Sequence, residues 1–146
     1  MRLLELYIHI PFCKKKCKYC DFLSGPSTAD ERESYVKSLC QDIRSYAHLA
    51  KACRVISIFV GGGTPSTLTA FQMQQIFSAV RDTFVVEENA EITVEMNPGT
   101  VDRKKLSGYK KCGINRLSIG LQSTKNRELQ ILGRIHTYEE FLETYH

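Results

Sequence analysis

The sequence predicts an α/β fold in which strands and helices alternate along 146 residues. Strand-like segments at 3–10, 55–60, 91–96 and 116–121 are separated by helical patterns. Each strand has one apolar and one largely polar face, and every unusual glycine-rich or cysteine-rich stretch follows the end of a strand. Alternating strand–helix units imply parallel strands with right-handed crossovers, as in an open α/β sheet or a βα barrel.

The first strand shows the two faces most clearly. Its apolar residues are Leu4, Leu6, Ile8 and Ile10, and the opposite face carries Glu5, Tyr7 and His9. A packed barrel core would fill that second face with branched apolar residues. A polar inner face instead predicts a cavity for a polar ligand. Antiparallel strands with a solvated face are the alternative, and the helices between the strands disfavour it.

The helical segments carry their own start and stop signals. Capping boxes open the first two, at Thr28-Ala-Asp-Glu31 and Thr69-Ala-Phe-Gln72, and Thr137-Tyr-Glu-Glu140 opens the last. Shorter helices are predicted over 102–112 and 126–132, each followed by a glycine. Glycine suits these ends because it accepts the left-handed backbone of a helix C-terminus.

Composition excludes several classes of protein. The content of 42% hydrophobic and 25% charged residues is typical of a globular domain. A net charge of +4 is mild, and the basic segment 103–111 indicates a solvated face rather than a nucleic-acid contact. No apolar run could span a bilayer and no signal peptide is recognised. We expect a cytoplasmic protein, and the mitochondrial matrix stays open for a chain whose transit peptide is missing.

The cysteines raise the question of a metal. Cys13, Cys17 and Cys20 form a C-x3-C-x2-C pattern after the first strand, whereas the other three cysteines are isolated and predicted to be ordinary thiols. In a reducing compartment clustered thiols are more often metal ligands than disulfide partners. A zinc site would need a fourth ligand, such as His9, and no second cysteine pair exists. A four-iron cluster on three cysteines would leave one iron for a small exchangeable ligand.

The segment "YIHIPFCKKKCKYCDF" resembles the cluster loop of radical S-adenosylmethionine (SAM) proteins. The segments "GGGTPS", "VEMNPGT", "GINRLSIGLQS" and "LQILGRIH" are similar, in the same order, to the subgroup of oxygen-independent coproporphyrinogen oxidases and HemW-type haem chaperones. The resemblance implies a partial TIM-type barrel of which this chain supplies about four of six βα units. Residues 1–146 are therefore expected to form a radical SAM core domain truncated at its C-terminal end.

The same resemblance assigns site residues. Cys13, Cys17 and Cys20 would bind a [4Fe-4S] cluster, whose open iron would be chelated by SAM. The expected SAM contacts are Tyr7, Tyr19, Gly62, Gly63, Thr64, Glu95, Gln122 and Arg134. Strand alternation independently places Glu95 and Gln122 on the polar face. Arg134 has an alternative explanation as a charge at a helix C-terminus.

Phe22 separates the two functions of the subgroup. The oxidases carry a further cysteine two positions after the third, where this chain has Phe22. The resemblance therefore favours a chaperone that binds haem and passes it to an acceptor protein, with an unidentified electron donor as a further partner. Radical decarboxylation of coproporphyrinogen, with a porphyrin substrate, is the alternative. A zinc-binding structural module is the third hypothesis. No catalytic residue is assigned, and whether the chain is an enzyme stays open.

Overall fold

The computed structural model describes residues 2–50 and 52–146, which contain a four-stranded sheet. The strands are β1 (Arg2–Ile10), β2 (Cys53–Gly62), β3 (Val85–Met96) and β4 (Arg116–Ile119). They lie in the order β1-β2-β3-β4, and each neighbouring pair is parallel. Parallel strands in sequential order are the arrangement of a βα barrel segment. The predicted α/β class and its four strands are confirmed.

Helices connect the strands and follow β4. Those in the described residues are α1 (Ala29–Ser45), α2 (Ala47–Ala50), α3 (Ala70–Thr83), α4 (Arg103–Lys111), α5 (Asn126–Leu132) and α6 (Tyr138–Tyr145). The helices α1 and α3 start at the predicted capping boxes, and α6 starts at a third one, formed by Thr137 and Glu140. Gly133 ends α5 in the left-handed conformation, with φ of 77°. The helical pattern of the first helix extends to Ala50, but α1 ends at Ser45 and the last residues form the separate helix α2.

The apolar faces of the inner strands form the core under α1 and α3. Buried residues of this core include Ile10, Val55, Ile58, Val60 and Val94. The alternation in β2 differs from the prediction because a register irregularity falls between Val55 and Ser57. It buries Val55 and leaves Ile56 only half-buried, so the predicted place of Ile56 on the fully buried face was wrong.

Strand β3 begins six residues before the predicted position, at Val85. Pairing with β2 passes from Val86 directly to Glu91, so the intervening residues 87–90, three of them polar, bulge out of register. Such a bulge interrupts the apolar alternation on which the prediction relied. Strand β4 is shorter than predicted, and its Leu117 is 41% exposed because an edge strand is covered on one side only.

The helices α3 and α4 approach each other closely at a glycine. A Cβ atom added to Gly108 in α4 would lie 2.5 Å from Cβ of Ala70 in α3. The next residue, Tyr109, is 1% exposed and its hydroxyl donates to the carbonyl of Leu68 at 2.9 Å. The packing of helix α4 therefore depends on the absence of a side chain at Gly108 and on the buried hydrogen bond of Tyr109.

We expect the substitution Gly108→Ala to destabilise the fold. Helix propensity alone would raise stability by about 1 kcal/mol. Overpacking against Ala70 costs about 1–3 kcal/mol and outweighs that gain. Urea unfolding measures the difference, and Ser107→Ala, at an exposed position of the same helix, is the matched control that gains propensity without the clash. A Gly108→Ala chain as stable as Ser107→Ala would contradict the packing argument.

Candidate functional site

A cavity of about 470 Å³ opens at the carboxyl ends of the strands. The end of a parallel sheet where these strands finish is the usual place for a site in such architectures. The cavity brings together the predicted residues Cys13, Cys17, Cys20, Tyr19, Gly62, Gly63, Thr64, Glu95, Gln122 and Arg134. Tyr7 lies outside it, on the edge strand β1, so its contact with a ligand stays a prediction.

The loop that carries the three cysteines is closed at its base. Phe12 and Gly25 form an isolated β-bridge, in which the backbone N–H of Cys13 donates to the carbonyl of Gly25 at 3.0 Å. A second attachment lies far along the chain, where the N–H of Lys18 donates to the carbonyl of Leu132 at 3.0 Å. These contacts fix both halves of the loop against the rest of the fold.

His9 provides a third attachment and explains the position of Tyr7. Its Nε2 lies 3.0 Å from the carbonyl of Leu23, and its Nδ1 lies 3.0 Å from the Tyr7 hydroxyl. A carbonyl only accepts, so Nε2 carries the proton and Nδ1 accepts from Tyr7. Partial burial, and then the nearby Glu95 carboxylate, raise the pKa of Tyr7 above its ordinary value. The hydroxyl therefore remains a neutral donor to His9.

The glycine-rich segment after β2 packs directly on the cysteine loop. A Cβ atom on Gly63 would lie 2.6 Å from the carbonyl oxygen of Phe12, and the N–H of Thr64 donates to that oxygen. Gly62 has φ of +118°, and a Cβ atom there would lie 2.8 Å from the ring of His9. Only glycine fits such contacts. The sequence predicted close approach to a ligand, whereas these glycines first make room for the cysteine loop.

Glu95 and Gln122 lie on the cavity wall, as the alternation predicted. Oε2 of Glu95 accepts from the N–H of Gly62 at 3.2 Å, which orients the carboxylate. Gln122 is the one non-glycine residue of the described chain with positive φ, at 71°. This backbone conformation is uncommon outside glycine, and such strain concentrates at functional sites. The strained turn after β4 therefore marks a cavity-lining position.

Arg134 projects into the cavity between several loops. Its Nη2 donates to Oδ1 of Asn97 and to the carbonyl of Gly120, both at 2.8 Å. Its Nη1 lies 3.4 Å from Sγ of Cys17 and 3.5 Å from the Tyr19 hydroxyl. Its Nε is buried without a partner in the described residues. These contacts do not go to the last carbonyls of α5, so the alternative of a simple helix-terminal charge was wrong.

Sequence reasoning missed Asn97. Its Nδ2 donates to Oγ1 of Thr64 at 2.9 Å while its Oδ1 accepts from Arg134. It lies two positions after Glu95, just beyond the end of β3. That spacing places it on the polar side of the strand and was the signal that could have found it. Its amide joins the loops that follow β2 and α5.

The three clustered thiols face the same cavity. Cys13, Cys17 and Cys20 are free and line one cavity. Within residues 2–50 and 52–146, however, no three His, Cys, Asp or Glu side chains converge on one point as a metal ion requires. In an iron–sulfur cluster each cysteine binds a different iron, so the thiolates need not meet at one point. Lys15 and Lys16 also line the cavity and oppose negative charge there.

The remaining cysteines are structural. Cys40, Cys53 and Cys112 are buried and unpaired in the described chain. Burial raises the pKa of Cys40 and Cys112 above the ordinary thiol value. Thiols with raised pKa are poor nucleophiles and poor ligands. Cys53 begins strand β2.

No helix in the described part of the chain combines the length and the apolar character needed to cross a bilayer.

Comparison with curated proteins finds relatives of known description. "Heme chaperone HemW" of Escherichia coli (strain K12) is 44% identical over 138 residues, which cover 94% of this chain and 36% of that protein. "Heme chaperone HemW" of Haemophilus influenzae is 41% identical over 142 residues, covering 94% and 37%. The mitochondrial "Radical S-adenosyl methionine domain-containing protein 1" of Mus musculus is 37% identical, covering 95% and 31%. The chain thus spans about a third of the length of these relatives.

Comparison with solved structures and family profiles agrees with the geometry. The structure titled "Coproporphyrinogen III oxidase (HemN) from Escherichia coli is a Radical SAM enzyme" superposes with a TM-score of 0.89 at 29% identity, covering 97% of this chain and 33% of that one. This match confirms the predicted partial radical SAM barrel. The profile of the Radical SAM superfamily matches residues 7–146. The chain belongs to the radical SAM superfamily.

Proposed function

We propose that residues 1–146 form part of the core domain of a radical SAM haem chaperone. The observation that carries the proposal is the meeting of the three cysteines with Gly62, Glu95 and Arg134 in one cavity. The relatives named haem chaperones, at 41–44% identity, support the choice of function. Because the chain spans about a third of their length, haem, an acceptor protein and an electron donor are proposed for the whole protein.

Cys13, Cys17 and Cys20 would hold a [4Fe-4S] cluster as three thiolates, one on each of three irons. When bound, the cluster supplies an electron-transfer centre and one iron open to the amino and carboxylate groups of SAM. Lys15 and Lys16 offset the negative charge of the thiolates. The cavity fits this group because all three thiols face it without converging on a single point.

The other cavity residues would orient SAM. The guanidinium of Arg134, which lines the cavity, would pair with a carboxylate of the ligand. The Glu95 carboxylate accepts from hydroxyl or ammonium groups of the ligand. Tyr19 offers an aromatic surface beside Cys17, and burial raises the pKa of its phenol even though Arg134 opposes that shift. Gln122 supplies an amide on the opposite wall.

Coproporphyrinogen oxidation is the second candidate. The close superposition on the coproporphyrinogen oxidase structure favours it, because the fold is shared. Phe22 opposes it. This side chain lines the cavity and is 67% exposed where the oxidases carry a cysteine. A phenyl ring cannot replace a thiol in chemistry, whereas it offers apolar surface to a flat macrocycle such as haem.

We place the protein in the cytoplasm, with the mitochondrial matrix as the alternative that the mouse relative suggests.

Anaerobic reconstitution tests the cluster. We expect about four irons per chain, with an EPR signal of the reduced cluster that changes when SAM is added. Cys17→Ala should lose the signal, whereas Cys40→Ala, a buried thiol in α1, should keep it. Zinc uptake without iron, or equal iron in both variants, would show that the loop does not carry a cluster.

Substitution of Arg134 tests the SAM contact. Arg134→Gln should weaken SAM binding about 10- to 100-fold, because a hydrogen bond between charged groups contributes about 1.5–3 kcal/mol. Equilibrium dialysis of the reconstituted chain measures the affinity, and the iron count should stay unchanged. Arg127→Gln on the exposed side of α5 is the matched control. Equal affinities in the two variants would remove Arg134 from the site.

Haem binding and decarboxylation separate the two candidate functions. We expect titration of the whole protein with haem to produce a saturable Soret band. We expect the same protein to release no carbon dioxide from coproporphyrinogen in the presence of SAM and a reductant. The apolar surface at Phe22 is the physical reason for both results. Carbon dioxide release at a rate above a cluster-free control would instead establish the oxidase.

A further inference from the structure

We infer that Asn97 is a positioning residue that holds Thr64 and Arg134 in fixed relation on the cavity wall. The inference rests on the proposed SAM site and adds a residue to it. Its side chain forms one hydrogen bond in each direction, to Oγ1 of Thr64 at 2.9 Å and from Nη2 of Arg134 at 2.8 Å. A guanidinium only donates, so Oδ1 must face Arg134 and Nδ2 must face Thr64. The orientation of the amide is therefore determined.

The backbone of Asn97 is itself anchored. Its N–H donates to Oγ of Ser66 at 3.4 Å, and its carbonyl accepts from the N–H of Thr100 at 3.3 Å and from the Thr100 hydroxyl. Ser66 and Thr100 are buried and share a hydrogen bond with each other. Asn97 thus stands on a buried hydroxyl pair directly after the rigid strand β3. Its amide therefore holds Thr64 and Arg134 at a fixed position relative to the sheet.

Asn97 accepts one of the two short hydrogen bonds that Arg134 makes, whereas the two contacts of Nη1 are longer. The two bonds of Nη2, to Asn97 and to the carbonyl of Gly120, define the plane of the guanidinium in the described structure. That plane directs Nη1 toward Sγ of Cys17. Without Asn97, Nη2 keeps one of these two bonds, and only the longer contacts of Nη1 at 3.4 and 3.5 Å oppose rotation of the guanidinium. A ligand would then have to order the side chain on binding, which lowers affinity.

The chain offers a matched control in Asn115. Its Oδ1 accepts from the N–H of Ile92 at 2.8 Å and its Nδ2 donates to the carbonyl of Ala90 at 2.9 Å. This amide also bridges two groups, but it lies at the start of β4, at the opposite end of the sheet from the cavity. Removing Asn115 costs hydrogen bonds without touching the site. It separates a loss of stability from a loss of positioning.

The first test measures SAM affinity in the reconstituted chain. Asn97→Ala should bind SAM about 10- to 100-fold more weakly with unchanged iron content, the range typical of residues that orient direct ligands. Asn115→Ala should lower the midpoint of thermal unfolding and leave SAM affinity unchanged. Combining Asn97→Ala with Arg134→Gln should cost less than the product of the two single effects. Wild-type affinity in Asn97→Ala, or effects that multiply, would overturn the inference.

A second test needs no cluster and no SAM. In the metal-free chain, nitrogen-15 NMR should show separate Nη signals for Arg134, because its guanidinium is held on one side. Asn97→Ala should merge them and Asn115→Ala should not. Unchanged Nη signals in Asn97→Ala overturn the inference whatever SAM does. A wild-type chain that binds no SAM would refute the proposed function, while the NMR result would still decide the role of Asn97.

Discussion

The contact between the glycine-rich segment and the cysteine loop is the constraint on which the rest of the site depends. At Gly63 the two segments approach so closely that a single added carbon would lie 2.6 Å from a backbone oxygen. Backbone hydrogen bonds join the same segments, because the N–H of Gly63 donates to Ile10 and that of Thr64 donates to Phe12. The cysteine loop is thereby positioned by the sheet. The placement of the thiols, the cavity and its polar wall all follow from that attachment.

The two faces of the sheet have separate tasks. The apolar face, with Val60 and Val94 fully buried, stabilises the fold against α1 and α3. The opposite face places Glu95 next to polar loops at the strand ends, where a ligand can reach it. Hydrophobic burial therefore makes the strands rigid, and the strands hold polar groups that would otherwise need ordering when a ligand binds. Stability and recognition draw on different side chains of the same strands.

Much of the fold and part of the candidate site could be predicted from the sequence, because they depend on local sequence patterns. The capping boxes at Thr28 and Thr69 are motifs of fixed spacing, and apolar and polar residues alternate along each strand with a fixed period. The bulged start of β3 was missed because four residues, three of them polar, interrupt that period. The alternation extends to Asn97, but its role was missed because that role depends on Arg134, which only the tertiary fold brings near. The hydroxyl of Tyr7 turns to His9, a choice between partners that alternation cannot decide.

The attachment of Arg134 to Cys17 joins residues 117 positions apart. Ribosomes add about 5–20 residues per second. The cysteine loop is therefore synthesised on the order of ten seconds before Arg134, which contacts it in the folded chain. During that interval the thiols lack their partner from beyond α5 and are open to oxidants and to adventitious metals. The cysteine loop therefore cannot reach its folded surroundings until Arg134 has been synthesised.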